Sequence, residues 1–461
     1  MQDSADLSWD EAQHALLPLM RTDNRTNVYY IAGEYAWLAL VLRGCGAAFH
    51  RWSSGELATS IFVPLATLGV VLVAIAQHRL SGLAHDASHF TLFKNKLANE
   101  LASDLLLMFP LVAMTQRYRA AHLGHHQFVN DPDRDPDLIR LNAVEPHHFP
   151  VSKLGFWRRY VVRGLWPPSI LRYLLGRAKA ANLDAGGAGR PLRVVYPSRV
   201  ARSLRGAYWL SVLAAVHLGG VWPLFGLFWV VPLLTAYPLL MQLREIAHHS
   251  NAPDDGDLTN SRVFRVHPVW GACVFPYGQA FHLTHHLFAM IPHYRVAEAH
   301  ALLLRHKAYR DHVVVCHGYF FRRRGTPGPS VLDLLAGDRP EAYGVPLSTS
   351  LSRGGRLDGR SESPPSESRA AAWSLRNRCR RATRPGPASA SANAGRLPSH
   401  GAAPSDYEKT RNQEEPTDDS HPEPGRPGGR PRRPVGLRTA ATRAGATATS
   451  EQPVRRSGPR Q

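Results

Sequence analysis

The chain has 461 residues and carries 55 Lys and Arg against 36 Asp and Glu, a formal net charge of +19. That surplus is gathered in two places, the segment Arg117 to Arg205 between apolar blocks and the region past Phe321, where 25 basic residues face 14 acidic ones. Such a placement suits a membrane-facing loop and a solvated tail, and argues against a nucleic-acid groove.

The mean hydropathy of −0.25 averages two unlike parts, an apolar, aromatic stretch of about 320 residues and an Arg-, Pro-, Ser-, Gly- and Ala-rich remainder. The four cysteines, Cys45, Cys273, Cys316 and Cys379, are scattered with no CxxC spacing, which rules out a zinc ribbon or a disulfide framework. The first thirty residues carry Asp3, Asp6, Asp10 and Glu11 and have no apolar core, so no signal peptide is expected there.

Residues 1–26 read as a polar, partly helical cytoplasmic lead-in. Val28 to Ala48 is a first apolar block of spanning length, interrupted by Glu34 and Arg43. Leu57 to Ala76 is uncharged and of spanning length as well. Just past it, His85-Asp86-Ala87-Ser88-His89 sets two histidines four apart, on one helical face at the membrane surface. Leu97 to Met114 contains Glu100, Asp104 and Pro110 and reads as an interfacial or re-entrant helix, because a full crossing would separate the first histidine box from the second.

The second box, His122-Leu123-Gly124-His125-His126, has the i, i+3, i+4 spacing that aims three imidazoles at one point. The acidic run that follows it, with Asp131, Asp135 and Asp137, and Asp86 inside the first box, offers carboxylates to the outer nitrogens of ligating histidines; an Asx/Pro turn is the competing reading. Arg117 to Arg205 is basic, broken at Pro167-Pro168 and Gly186-Gly187, and is placed in the cytoplasm by its charge. Ala207 to Leu243 is uncharged and interrupted at Gly219-Gly220, which reads as two spans joined by a tight turn. His217 within it is expected to be satisfied by a neighbouring helix. His248 and His249 follow directly, and then His282-Leu283-Thr284-His285-His286, a near copy of the second box. From residue 326 to 461 the composition cannot offset the entropy of ordering, and a disordered tail is expected.

The expected fold is therefore an all-α integral membrane protein: two transmembrane helical hairpins of about four spans, interfacial helices, and a cytoplasmic histidine-rich di-metal cap over residues 27–325. The boxes supply eight imidazoles, His85, His89, His122, His125, His126, His282, His285 and His286, too many for one tetrahedral ion and about right for two metals with open positions. Imidazole alone does not choose among iron, zinc and copper. His249, four residues after Glu245, is a further candidate.

HDASH, HLGHH and HLTHH in this order, with the flanks RYRAAHLGHHQFVNDPDRDPDL and FPYGQAFHLTHHLFAMIPHYRV, resemble the integral-membrane fatty acid desaturases and their hydroxylase and ketolase relatives, over roughly Val28 to Leu304. The resemblance implies a non-haem centre of two iron ions that uses O2 to remove hydrogen from an unactivated C–H bond of a membrane lipid or acyl substrate. It makes the eight box histidines iron ligands and matches His249 to the extra ligand after the last span. The chain departs from many relatives at His248 and Thr284, where they carry Glu. No flavin or cytochrome motif is fused to it, so an external electron donor, a ferredoxin or similar protein with its reductase, is implied. The leading expectation is an acyl-lipid desaturase; a hydroxylase or carotenoid ketolase on the same site is the alternative, and a metal transporter or sensor the reading from a different class.

Overall fold

A computed structural model describes residues 6–144, 148–180, 194–252 and 256–337. The Gly186-Gly187 break and the tail beyond residue 337 lie outside them. The chain is mostly helical. Helix α1 (Trp9–Leu16) starts at a reciprocal cap, Ser8 with Glu11, and buries Ala12 and Leu16. Leu16 and Leu19 pack with Leu283, Phe288 and Ile291, so the lead-in braces the segment that bears the third box.

Helices α2 (Thr26–Ser53) and α3 (Thr59–Ser88) form an antiparallel pair. Glu34, which interrupts the apolar pattern of α2, is buried and paired with Arg79 of α3 at 2.5 Å, and the Tyr277 hydroxyl donates to the same carboxylate. A buried acid is tolerable because it is paired and hydrogen-bonded. Helix α3 does not end near Ala76 as expected. Nothing in Gln77 to Ser88 breaks a helix, and burial from Val73 onward is nearly continuous. The first box is thus the end of a 30-residue helix, about 45 Å long at 1.5 Å per residue.

The expected interfacial segment is α4 (Lys96–Ala102) and a π-helical turn over Ser103–Met108, which ends before Pro110. Helix α5 (Thr115–Gln127) carries the second box. Then come α6 (Pro136–Val144), α7 (Lys153–Phe156), α8 (Pro167–Ala180), which opens on Pro167, and α9 (Ser198–Leu218). The chain reverses at Gly219-Gly220, where Gly220 has φ +62°, a conformation that favours glycine. The return helix is segmented into α10 (Trp222–Phe225), a π-helical turn, α11 (Val231–Leu234) and α12 (Ala236–His249). Contrary to expectation, His217 is exposed on α9.

Among the described residues two helices are long and apolar enough to cross a membrane, Thr59–Ser88 and Trp222–His249, with mean hydropathies of 2.3 and 1.9 over their most apolar windows. Beyond α12 come the two-residue parallel strands β1 (Val263–Phe264) and β2 (Val315–Cys316), with α13 (Pro268–Val274), α14 (His282–Leu287), α15 (Val296–Leu303) and α16 (Lys307–His312) between them. Helix α17 (Val331–Leu335) lies past the expected domain end at residue 325, yet Val331, Leu332, Leu334 and Leu335 join the core that contains Leu243, Ile246 and Ala247 of α12. Its five residues, in a polar, Pro-rich context, are too short to show a helical periodicity. Its capping box, Ser330 with Asp333, starts the helix.

Candidate metal centre

Four elements converge: the end of α3, the second half of α5, the end of α12, and α14. They bring nine imidazoles together in two groups, His85, His89, His122, His126 and His285 in one, and His125, His249, His282 and His286 in the other. Within each group the nitrogens offered lie within 4.8 Å of one another. The eight box histidines and His249 are all included; His248 is not.

The grouping corrects the idea that each HxxHH aims at one point. In α5, His122 and His126 go to the first group and His125 to the second; in α14, His282 and His286 go to the second and His285 to the first. At 3.6 residues per turn, i+4 falls about 40° from i while i+3 falls about 60° to its other side, so one helix can feed two points. Each HxxHH therefore serves both groups in crossed proportion. His89 lies one residue beyond the helix, with φ −89° and ψ 2°, and still reaches the same group as His85.

Nε2–Nε2 separations within the first group are 2.9 Å for His89–His122 and 3.1 Å for both His122–His126 and His126–His285. In the second they are 3.2 Å for His125–His249, 2.8 Å for His249–His282 and 3.0 Å for His282–His286. Two nitrogens each about 2.1 Å from one ion, and at right angles about it, stand about 3 Å apart. The donor set fits two metal ions.

The outer nitrogens strengthen that fit. His125 donates from Nδ1 to Asp135, 2.9 and 3.1 Å from its two oxygens, and the Asp137 carboxylate lies 4.0 Å away. His249 donates from Nδ1 to the Asn260 carbonyl at 3.0 Å. With both Nδ1 atoms engaged, the two Nε2 atoms face each other at 3.2 Å, and a metal ion or a proton on His125 relieves the repulsion between their lone pairs. Burial opposes charge on His125, but Asp135 and Asp137 outweigh it and push its pKa up to about 9. For His122, His126, His282, His285 and His286, burial and then the neighbouring imidazoles hold the pKa well below the ordinary value, leaving neutral ligand-ready rings.

Of the other acidic candidates, Asp131 pairs with Arg134 at the surface, and Asp86 accepts the His293 amide N–H at 2.9 Å while lying 3.8 Å from His85 Nδ1. His248 stacks flat on His282, ring centroids 3.5 Å apart. Thr284 turns away from the centre and bonds the Tyr309 hydroxyl at 2.8 Å. A cavity touches both groups, bordered by Leu138 and Leu141 and by the mutually paired Asp137, Arg140, Arg244 and Glu245. Sequence reasoning missed two residues that brace the site, Arg119 and Arg262. Arg119 stands one turn before His122, but nothing in its local pattern sets it apart from other arginines.

A family model described as Fatty acid desaturase matches residues 60–320. The chain is also 29% identical over 352 residues to a dihydrorhizobitoxine desaturase from Bradyrhizobium elkanii, an alignment covering 73% of this chain and 91% of the relative.

Proposed function

The chain belongs to the fatty acid desaturase family and is an oxidoreductase of the desaturase type; from that premise we propose that it is a membrane-bound di-iron enzyme that uses O2 to place a double bond in an acyl-lipid chain. The observation that carries the proposal is the division of nine histidines into groups of five and four. In this reading His85, His89, His122, His126 and His285 hold one iron, and His125, His249, His282 and His286 the other. Bound there, the irons would supply the oxidising power: one –CH2–CH2– unit, O2, two electrons and two protons give –CH=CH– and two waters.

The protein's own part is placement. Asp135 and the Asn260 carbonyl fix the ring orientation of His125 and His249. Leu138 and Leu141 offer an apolar wall along which a methylene can be set against the centre, and positioning of that kind selects the reacting carbon.

The proposed topology has four spans. Helices α2 and α9 join the two apolar helices, since their 28 and 21 residues suffice for a bilayer core of about 30 Å. Outward-facing Leu40, Ile61, Val63, Leu68, Leu210 and Leu218 support that arrangement. The basic residues Arg158, Arg159, Arg163, Arg199, Arg202 and Arg205 favour a cytoplasmic centre under the positive-inside rule. Electrons would come from an external donor such as a ferredoxin. The proposed domain is residues 27–325 extended to 337 by α17, after a lead-in of 26 residues.

A second reading takes a small polar substrate. The charged residues bordering the cavity favour it, and the relative is by name a desaturase of dihydrorhizobitoxine. The test is metal content of the detergent-purified protein, followed by incubation with O2, reduced ferredoxin and phospholipid. About two irons per chain and a new acyl double bond are expected. A hydroxy or keto product would assign the hydroxylase or ketolase chemistry instead, and active protein without iron would overturn the proposal.

A further inference from the structure

Two helices feed one histidine group only. Helix α3 gives His85 and His89 to the group of five, and α12 gives His249 to the group of four. Each of these helices ends at its histidines, where the last carbonyls have no partner within the helix. At each end a buried arginine supplies one.

Arg119 of α5, 2% exposed, donates from Nε to the Ser88 carbonyl at 2.9 Å and from Nη2 to the Ala87 carbonyl at 3.0 Å. Glu100 of α4, fully buried, takes the same guanidinium with both oxygens at 3.0 and 2.6 Å, and the Phe90 ring lies 3.9 Å from its Cζ. Arg262, also 2% exposed, donates to the Ala247 carbonyl at 2.8 Å and to the Ser250 carbonyl at 2.6 Å, bracketing His248 and His249. Its own carbonyl accepts the Leu283 amide at 3.1 Å, in the first turn of α14. Among the described residues Arg262 has no carboxylate partner; the negative end of α12 meets its charge.

We propose that Arg119 and Arg262 are paired positioning residues, one for each metal: Arg119 locks the end of α3 to the helix of the second box, and Arg262 locks the end of α12 to the helix of the third. Neither touches a reacting atom. Each holds the distance between a helix that serves one metal and a helix that serves both, so the loss of one arginine weakens one site and spares the other. The inference rests on the reading that the histidines bind two ions.

The test uses the full chain, stripped of metal in detergent and titrated with Co2+, whose absorption differs in intensity between four- and five-coordinate settings and so separates the two groups. Wild type is expected to bind about two ions and show both signals. Arg262→Gln should weaken the four-coordinate signal about tenfold or more in affinity and keep the other. Arg119→Gln, made together with Glu100→Gln so that no carboxylate is left buried and unpaired, should do the reverse. Arg262→Lys, which keeps the charge and can still reach one carbonyl, should restore part of the lost affinity. The surviving signal in each variant reports that the chain is folded. Loss of both signals together in either variant, or no change in either, overturns the inference. A wild-type chain that binds no Co2+ would instead sink the metal-centre reading.

Discussion

Asp135 receives the Nδ1–H of His125 on both of its oxygens, at 2.9 and 3.1 Å, and also accepts the Asn130 and Asp137 backbone amides at 3.0 and 2.9 Å. The acidic run after the second box is thus both a turn that leads into α6 and a carboxylate that orients a ring. Asp135→Asn keeps the shape and removes the charge. It should weaken metal binding at the group of four about 10- to 100-fold, measured by metal titration of the stripped protein. Unchanged affinity would mean that the carboxylate serves the turn alone.

His125→Ala and His285→Ala each remove a nitrogen from a different group. Both should abolish desaturation while membrane insertion and yield stay at wild-type levels, read by product analysis of extracted lipid beside membrane fractionation. Full activity in either variant would refute the ligand assignment.

Thr284 sits between ligands in the sequence but bonds Tyr309, with His300 Nδ1 at 3.4 Å. Tyr309 keeps His300 Nδ1 at 2.8 Å, so Thr284→Val should cost about 0.5–1.5 kcal/mol of stability through one lost hydrogen bond, seen as a lower thermal midpoint, with metal content unchanged. Loss of metal would show that position 284 acts on the centre.

The N-cap of α17, Ser330, makes a prediction about pH. Burial raises the Asp333 carboxyl, but its bonds to Lys153 and Ser330 outweigh that and hold its pKa below the ordinary 3.8. A lowered folded value means that the contribution is complete above the unfolded value, near pH 4, and fades as pH falls through the folded one. Ser330→Ala should cost about 1 kcal/mol at neutral pH. Thermal denaturation from pH 7 to 3 should show the Ser330→Ala and wild-type midpoints approaching one another at the acid end; a constant gap would assign the stabilisation to packing of α17.

Much of this was legible in the sequence because histidine spacing and uncharged apolar length are local signals. The eight box histidines, the α9 hairpin turn and the outer carboxylate candidates all follow from them. The split of each HxxHH did not, since an i, i+3, i+4 triplet is compatible with one target or two until a second helix faces it. Extension of α3 through Gln77 to Ser88 was hidden because the polar residues there are buried against other elements. Arg119 and Arg262 act on carbonyls that lie 31 and 12 residues away at their nearest contacts, Ser88 and Ser250, well beyond the i, i+3 and i, i+4 spacings that a helical pattern reveals.

The crossed sharing of α5 and α14 also sets an order on biosynthesis. His285 completes the group that begins at His85, and His282 and His286 complete the one that begins at His125. A nascent chain is made from its N-terminus, so no growing polypeptide owns a full coordination sphere until the third box has left the ribosome. In the proposed reading both ions would then enter only once the chain has passed His286, and a chain ending before it would have no complete pair of ligand groups.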